Sequence, residues 1–146
     1  MGVLVLGGVE RTIERKAFLT EVPDRTAETL ERIISNHVLS ESTIVTDCIR
    51  SYANLNHLYE HHTVNHSSDL IDLRSGAHTN TIEGTWNALK MKISSRNRIN
   101  SYDEDGNVVK NHLEDFLGQS VWLREHSSDV WGGLLSEIKE IIFTYE

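Results

Sequence analysis

The sequence predicts an α/β fold, and three observations carry that prediction. Two apolar runs joined by a short polar turn open the chain as a hairpin, a third run of β-branched residues ends at Asp47, and several other segments repeat apolar residues at helical spacing. Strands followed by strand–helix alternation imply a sheet with helices packed on it.

Each element follows from local pattern. Val3–Val9 reads as a buried strand, Lys16–Val22 as its hairpin partner and Thr12–Arg15 as the turn between them. Pro23 ends the pair, and Asp24 or Thr26 can cap a helix over Ala27–Val38, where Leu30, Ile33, Ile34 and His37 share a face. A turn over Ser40–Ser42 leads into the strand Thr43–Thr46, which ends at Asp47. Ile49–Leu55 reads as a short helix, His62–Asn65 as a short strand and Ser67–Ala77 as a polar loop. Thr79 or Asn80 then caps a helix with Ile82, Trp86, Leu89 and Ile93 on one stripe. Asn100–Asn107 is an acidic turn, and two amphipathic helices follow. The first, about Val109–Leu117, carries Leu113, Phe116 and Leu117 on one face; the second, about Val130–Tyr145, carries Leu134, Ile138, Ile141 and Tyr145.

Composition bounds the function. At 146 residues the chain is one ordinary domain with room for a core. A lone cysteine, Cys48, gives no disulfide framework and suits a reducing intracellular setting; beside Asp47 it reads as a small buried hydrophobe. The apolar run Val3–Leu6 is too short to span a membrane and has no basic region before it. Net charge is −8, which argues against a simple nucleic-acid binder. Residues 101–146 hold ten acids and three bases, whereas residues 1–100 are nearly neutral. Within the latter, Gly84–Asn100 carries Lys90, Lys92, Arg96 and Arg98 and no acid, which gives either a DNA-facing strip or a solvated helix face.

The chemistry is carried by His78–Lys90, HTNTIEGTWNALK, read together with Asp47. Asp47 and Glu83 have 35 residues between them, and a strand-end carboxylate and a helix carboxylate could meet at one metal ion. Each has a plainer role. Asp47 can cap the turn before Ile49, and Asn80-Thr81-Ile82-Glu83 matches a capping box in which Glu83 reaches back to Asn80. Lys90 lies nearly two helical turns past Glu83, roughly 10 Å along the axis, so Glu83, Asn87 and Lys90 share a face; that suits a metal ligand with a phosphate contact beyond it, and equally an ordinary polar face. The eight histidines lack a metal-ligand pattern and read as surface or core residues. Gly7-Gly8 lacks a nucleotide-loop pattern, so no nucleotide cofactor is implied. Trp86, Trp122 and Trp131 read as core rather than base-stacking residues.

Five segments in order, GGVER at 7–11, VPDRTAETL at 22–30, STIVTDCIRSY at 42–52, HTVNHS at 62–67 and GAHTNTIEGTWNALK at 76–90, resemble the DDE transposase domain of the Merlin elements of eukaryotes and their bacterial insertion-sequence relatives, the ISXO-like transposases. The resemblance covers roughly residues 5–100, with HLEDFL at 112–117 a weaker continuation. It implies an RNase H-like mixed sheet flanked by helices, with C-terminal helices added. It also implies cutting and joining of DNA with two divalent metal ions, Mg²⁺ or Mn²⁺, on an Asp-Asp-Glu triad. Asp47 takes the second Asp, Glu83 the Glu and Lys90 the basic position after it; His78 and Asn80 belong to the same motif. The family's first Asp lies on a strand upstream of GGVER, where this chain has only Met1–Leu6. The expectation is therefore a truncated core over residues 1–100, lacking the central strand, with an acidic helical extension of the same domain over 101–146, and a chain inactive by itself. The implied partners are transposon-end DNA and a second copy as homodimer, with no membrane. The implied setting is nuclear in a eukaryote or cytoplasmic in a bacterium. The alternative is a domesticated, non-catalytic DNA- or protein-binding scaffold.

Overall fold

The structure is a computed structural model that describes residues 2–65, 80–94, 99–109 and 112–144, with side chains described as far as Lys139 in the last segment. The expected strands and helices form, in an α/β arrangement. The hairpin consists of β1 (Leu4–Val9) and β2 (Ala17–Val22), antiparallel with Leu6 opposite Thr20 and Gly8 opposite Phe18. After α1 (Ala27–His37) comes β3 (Thr43–Asp47), which pairs in parallel with β4 (Glu60–Val64) across a 3₁₀ segment, Arg50–His57. Beyond these lie α2 (Asn80–Lys92), the two-residue strands β5 (Ser101–Tyr102) and β6 (Val108–Val109), α3 (Leu113–Glu125) and α4 (Val130–Thr144).

The hairpin has helices on both faces because both faces of its strands are apolar. Successive side chains of a strand point to opposite sides. Leu4, Leu6, Phe18 and Val22 therefore join Leu30, Ile33 and Ile34 of α1 in one core, together with Leu55, Tyr59 and Ile44. Val3, Val5 and Leu19 turn the other way, onto Trp86 and Leu89 of α2, Ile93 just past its end, and Leu113, Phe116 and Leu117 of α3. Gly7 makes the second contact possible: a Cβ there would stand 2.7 Å from Leu19 Cδ2 and 3.0 Å from Trp86 Cζ2. A side chain at Gly8 would collide with the Phe18 ring on the opposite face.

Capping of α1 uses both candidate residues. Thr26 is the N-cap and its hydroxyl oxygen accepts from the Thr29 N–H at 3.3 Å, while Asp24 Oδ1 accepts from the Thr26 N–H at 2.9 Å and its hydroxyl at 2.6 Å. At the other end, the His37 ring stacks on Phe18 with centroids 4.5 Å apart.

The mixed α/β arrangement is as expected, and among the described residues its parallel and antiparallel strands form separate pairs, β1–β2 and β3–β4, joined through the side-chain core over α1. Several expectations need correction. Ile49–Leu55 is a 3₁₀ segment shifted to Arg50–His57. Val109 is not helical: the turn at Asp103–Gly106 closes a small hairpin that takes its backbone into β6, so α3 begins at Leu113 and runs on to Glu125. Cys48 is exposed, because the chain leaves the sheet at Asp47 and turns outward there. Trp131 is 69% exposed, and Leu134, Leu135 and Ile138 of α4 are all at least 40% exposed, since α4 extends past the two cores instead of covering them. The loop Ser67–Ala77, and with it His78, lies outside the described residues.

Candidate nucleic-acid-processing site

Asp47 is the last residue of β3, a strand its β-branched residues favour. Ile44 points into the core over α1, so alternation sends Asp47, three residues on, to the opposite side of the strand layer. Asp47 Oδ1 accepts from the Ile49 N–H at 3.4 Å, the turn-capping contact its sequence position suggests. Its charge also reaches Tyr52, whose pKa is raised from 10.0 first by burial and then by the Asp47 carboxylate.

Behind Asp47, on the α1 side, a polar chain fastens the parallel pair. The Thr46 hydroxyl meets His61 Nε2 at 2.8 Å, and His61 Nδ1 meets Asn56 Oδ1 at 3.0 Å. Burial, and then the neighbouring His62, lowers the His61 pKa from 6.5. The Thr46 hydroxyl donates to the Asp47 carbonyl at 2.8 Å, so its oxygen accepts from His61 Nε2–H, and a neutral ring of that tautomer presents Nδ1 to the Asn56 side-chain amide. His61 is thus a satisfied structural histidine, as the sequence suggests.

Glu83 stands in the first turn of α2 and is exposed, as are Asn87, Lys90 and Lys92. Leu89 and Ile93 are buried and Trp86 packs beside them, so the apolar stripe anchors the helix and leaves the Glu83–Asn87–Lys90 face outward. Arg96 and Arg98 lie outside the described residues.

Carboxylate oxygens on a strand end and a helix are the donor chemistry a hard divalent cation takes. Among the described residues, no three His, Cys, Asp or Glu side chains gather to hold one. The fit is therefore partial: two suitable donors, Asp47 and Glu83, on two elements that pack separately.

A second feature carried no signal in the sequence. Arg15, in the β1–β2 turn, and Arg124, in α3, line an open groove of about 410 Å³ together with Asn80, Thr81, Gly84, Thr85 and Ala88 of α2. Arg15 and Arg124 are 109 residues apart, so only the folded chain brings them together. Among the described residues, no helix is long and apolar enough to cross a membrane.

Comparison with curated proteins and with solved structures finds no match. Residues 2–102 do match the family model described as the ISXO2-like transposase domain, a span that includes β1 to β5 with Asp47, Glu83 and Lys90, and the chain belongs to that family.

Proposed function

We propose that this domain derives from the catalytic core of a DDE transposase, whose reaction is metal-dependent cleavage and transfer of DNA strands. Asp47 and Glu83 are the proposed Mg²⁺ or Mn²⁺ ligands, and Lys90 a phosphate contact. Lys92, Arg96 and Arg98 extend the proposed DNA-binding strip. The observation that carries the reading is the family match over residues 2–102, which takes in both carboxylates. When bound, divalent ions supply charge for the attacking and leaving oxygens of a phosphodiester. The chain's own part is to fix where the carboxylates sit. β3 and its His61–Thr46 fastening hold Asp47, and the buried Leu89–Ile93 stripe holds Glu83 and Lys90 outward.

The 146 residues tested by themselves are proposed to be inactive. The test is incubation of the 146-residue protein with a transposon-end duplex and Mn²⁺. The expected result is no strand cleavage. Robust cleavage that Asp47→Asn abolishes would overturn the proposed inactivity.

A second reading, a non-catalytic scaffold, is favoured by α4, whose exposed Trp131, Leu134 and Ile138 sit in the acidic part of the chain and suit a protein partner or a second copy. Its place would be nuclear in a eukaryote and cytoplasmic in a bacterium, as for the transposase.

A further inference from the structure

The groove between the β1–β2 turn, α2 and α3 has the chemistry of an anion site. It lies on a different side of α2 from the Glu83–Lys90 face. Asn80, Gly84 and Ala88 form one row along the helix, with Thr81 and Thr85 beside it, about a third of a turn from Glu83, Asn87 and Lys90. Arg124 is half-buried and ties the three elements together: its Nε donates to the Arg15 carbonyl at 3.1 Å and its Nη1 to Thr85 Oγ1 at 3.4 Å. A guanidinium has five N–H donors, so these two bonds hold it in place while leaving donors for a ligand.

Arg15 is exposed, and its backbone is in the left-handed region with φ 50°. That conformation is strained for a residue with a side chain. The turn holds it through the Thr12 hydroxyl, which accepts from the Arg15 N–H at 3.2 Å, and through the Glu10 N–H to the Lys16 carbonyl at 2.8 Å. The acids of the turn are engaged locally, Glu14 by Lys16 at 3.2 Å and Glu10 by the Thr12 hydroxyl at 3.1 Å.

Gly84 is the second observation. A glycine inside a helix is less stable there than alanine. Here no atom of the described residues lies within 4 Å of where its Cβ would be, so none of them requires it. A bare backbone lining a groove between two arginines permits close approach of a ligand.

We infer that this groove seats backbone phosphates of DNA, with Arg15 and Arg124 supplying the charge and Asn80 and Thr81 further polar contacts; the inference rests on the transposase reading of the domain. In a chain of net charge −8, DNA must approach through such local positive sites.

The test is fluorescence anisotropy of a short labelled duplex with the full chain across a salt series, alongside thermal melts. Arg15→Asn removes the charge but keeps a residue type that tolerates the left-handed conformation. It should weaken binding and flatten the log–log salt slope by about 0.9 for the one phosphate lost. Gly84→Gln should raise Tm, because it restores helix propensity in open space, and yet weaken binding by filling the groove. That opposite movement cannot come from misfolding, so Gly84→Gln decides the matter should Arg15→Asn melt early. If the wild type binds with a clear slope and Gly84→Gln, with a folded Arg15→Asn, matches it in slope and affinity, the inference falls while the DNA reading stands. A wild-type slope near zero would overturn both.

Discussion

The hairpin β1–β2 and the parallel pair β3–β4 contain similar lengths of strand and are built in different ways. The hairpin is apolar on both faces and is covered on both, by α1 below and by α2 and α3 above. The parallel pair contributes Ile44 to the core over α1, while the core over α2 and α3 takes no described residue from β3 or β4. Its strands read TIVTD and EHHTV, polar enough to be held by side-chain hydrogen bonds as much as by burial. The doubly covered pair is scaffold. The more polar pair carries Asp47, opposite Val64, which is 1% exposed.

The largest expected effects test whether the two cores are separate supports. Leu55 and Leu117, each 1% exposed, lie in the α1 core and the α2–α3 core respectively. Truncating either to alanine should cost about 2–5 kcal/mol in urea or thermal unfolding. The two variants should differ in what else moves. Leu117→Ala should shift the fluorescence of Trp86, which shares its core, and leave the Tyr52 titration alone. Leu55→Ala, next to Tyr52 and Tyr59, should do the reverse. If each variant disturbs both reporters equally, the cores form one unit and the contrast drawn above is wrong.

How much of this was legible in sequence follows the same line. Where burial depends on local pattern, reading succeeded: the two-faced hairpin, α1 with Thr26 and Asp24 at its start, β3 ending at Asp47, and the α2 stripe that leaves Glu83 and Lys90 outward. Where the outcome depends on distant partners, it did not. Trp131 and Leu134 look like core residues by periodicity, yet among the described residues they stay 69% and 40% exposed. Val109 looks helical by composition, yet pairs with Ser101 across a turn set by Asp103, whose carboxylate accepts from the Asn107 N–H at 2.8 Å. The Arg15–Arg124 groove joins residues from opposite ends of the chain, and no spacing rule reaches that far.

A smaller effect concerns how the parallel pair is fastened. His61 has a folded-state pKa below its ordinary 6.5, chiefly from burial, so the folded protein prefers the neutral ring. A depressed pKa contributes stability that is fully present above the unfolded value and is lost as pH falls towards the folded one. Stability should therefore decline below about pH 6.5, in the part of the acid limb that precedes carboxylate protonation. His61→Gln keeps hydrogen-bonding capacity towards Thr46 and Asn56 but cannot charge, and should flatten that part of the stability–pH curve. An unchanged curve would mean the ring is not held neutral by the fold, and the pair would lose its proposed fastening.

The smallest effect bears most directly on Asp47. Tyr52 titrates above its ordinary 10.0, first because it is buried and second because Asp47 is negative, with Arg25 pulling the other way. Asp47→Asn removes the second cause and leaves the first, so the Tyr52 pKa should fall without reaching the value of a solvated tyrosine. The Tyr52 signal is best isolated by subtracting the ultraviolet titration of Tyr52→Phe. Glu83→Gln provides the contrast. Glu83 is on the helix that covers the hairpin and is not among the charges that move Tyr52, so its neutralisation should leave the titration where it was. A shift with Asp47→Asn and none with Glu83→Gln would assign the two carboxylates to separate electrostatic neighbourhoods in the free protein. Bringing them to one ion would then require the ion itself, or the DNA, to supply the attraction. Equal shifts from both variants would mean the carboxylates already share one field, and the separation between the two strand pairs would not extend to the site.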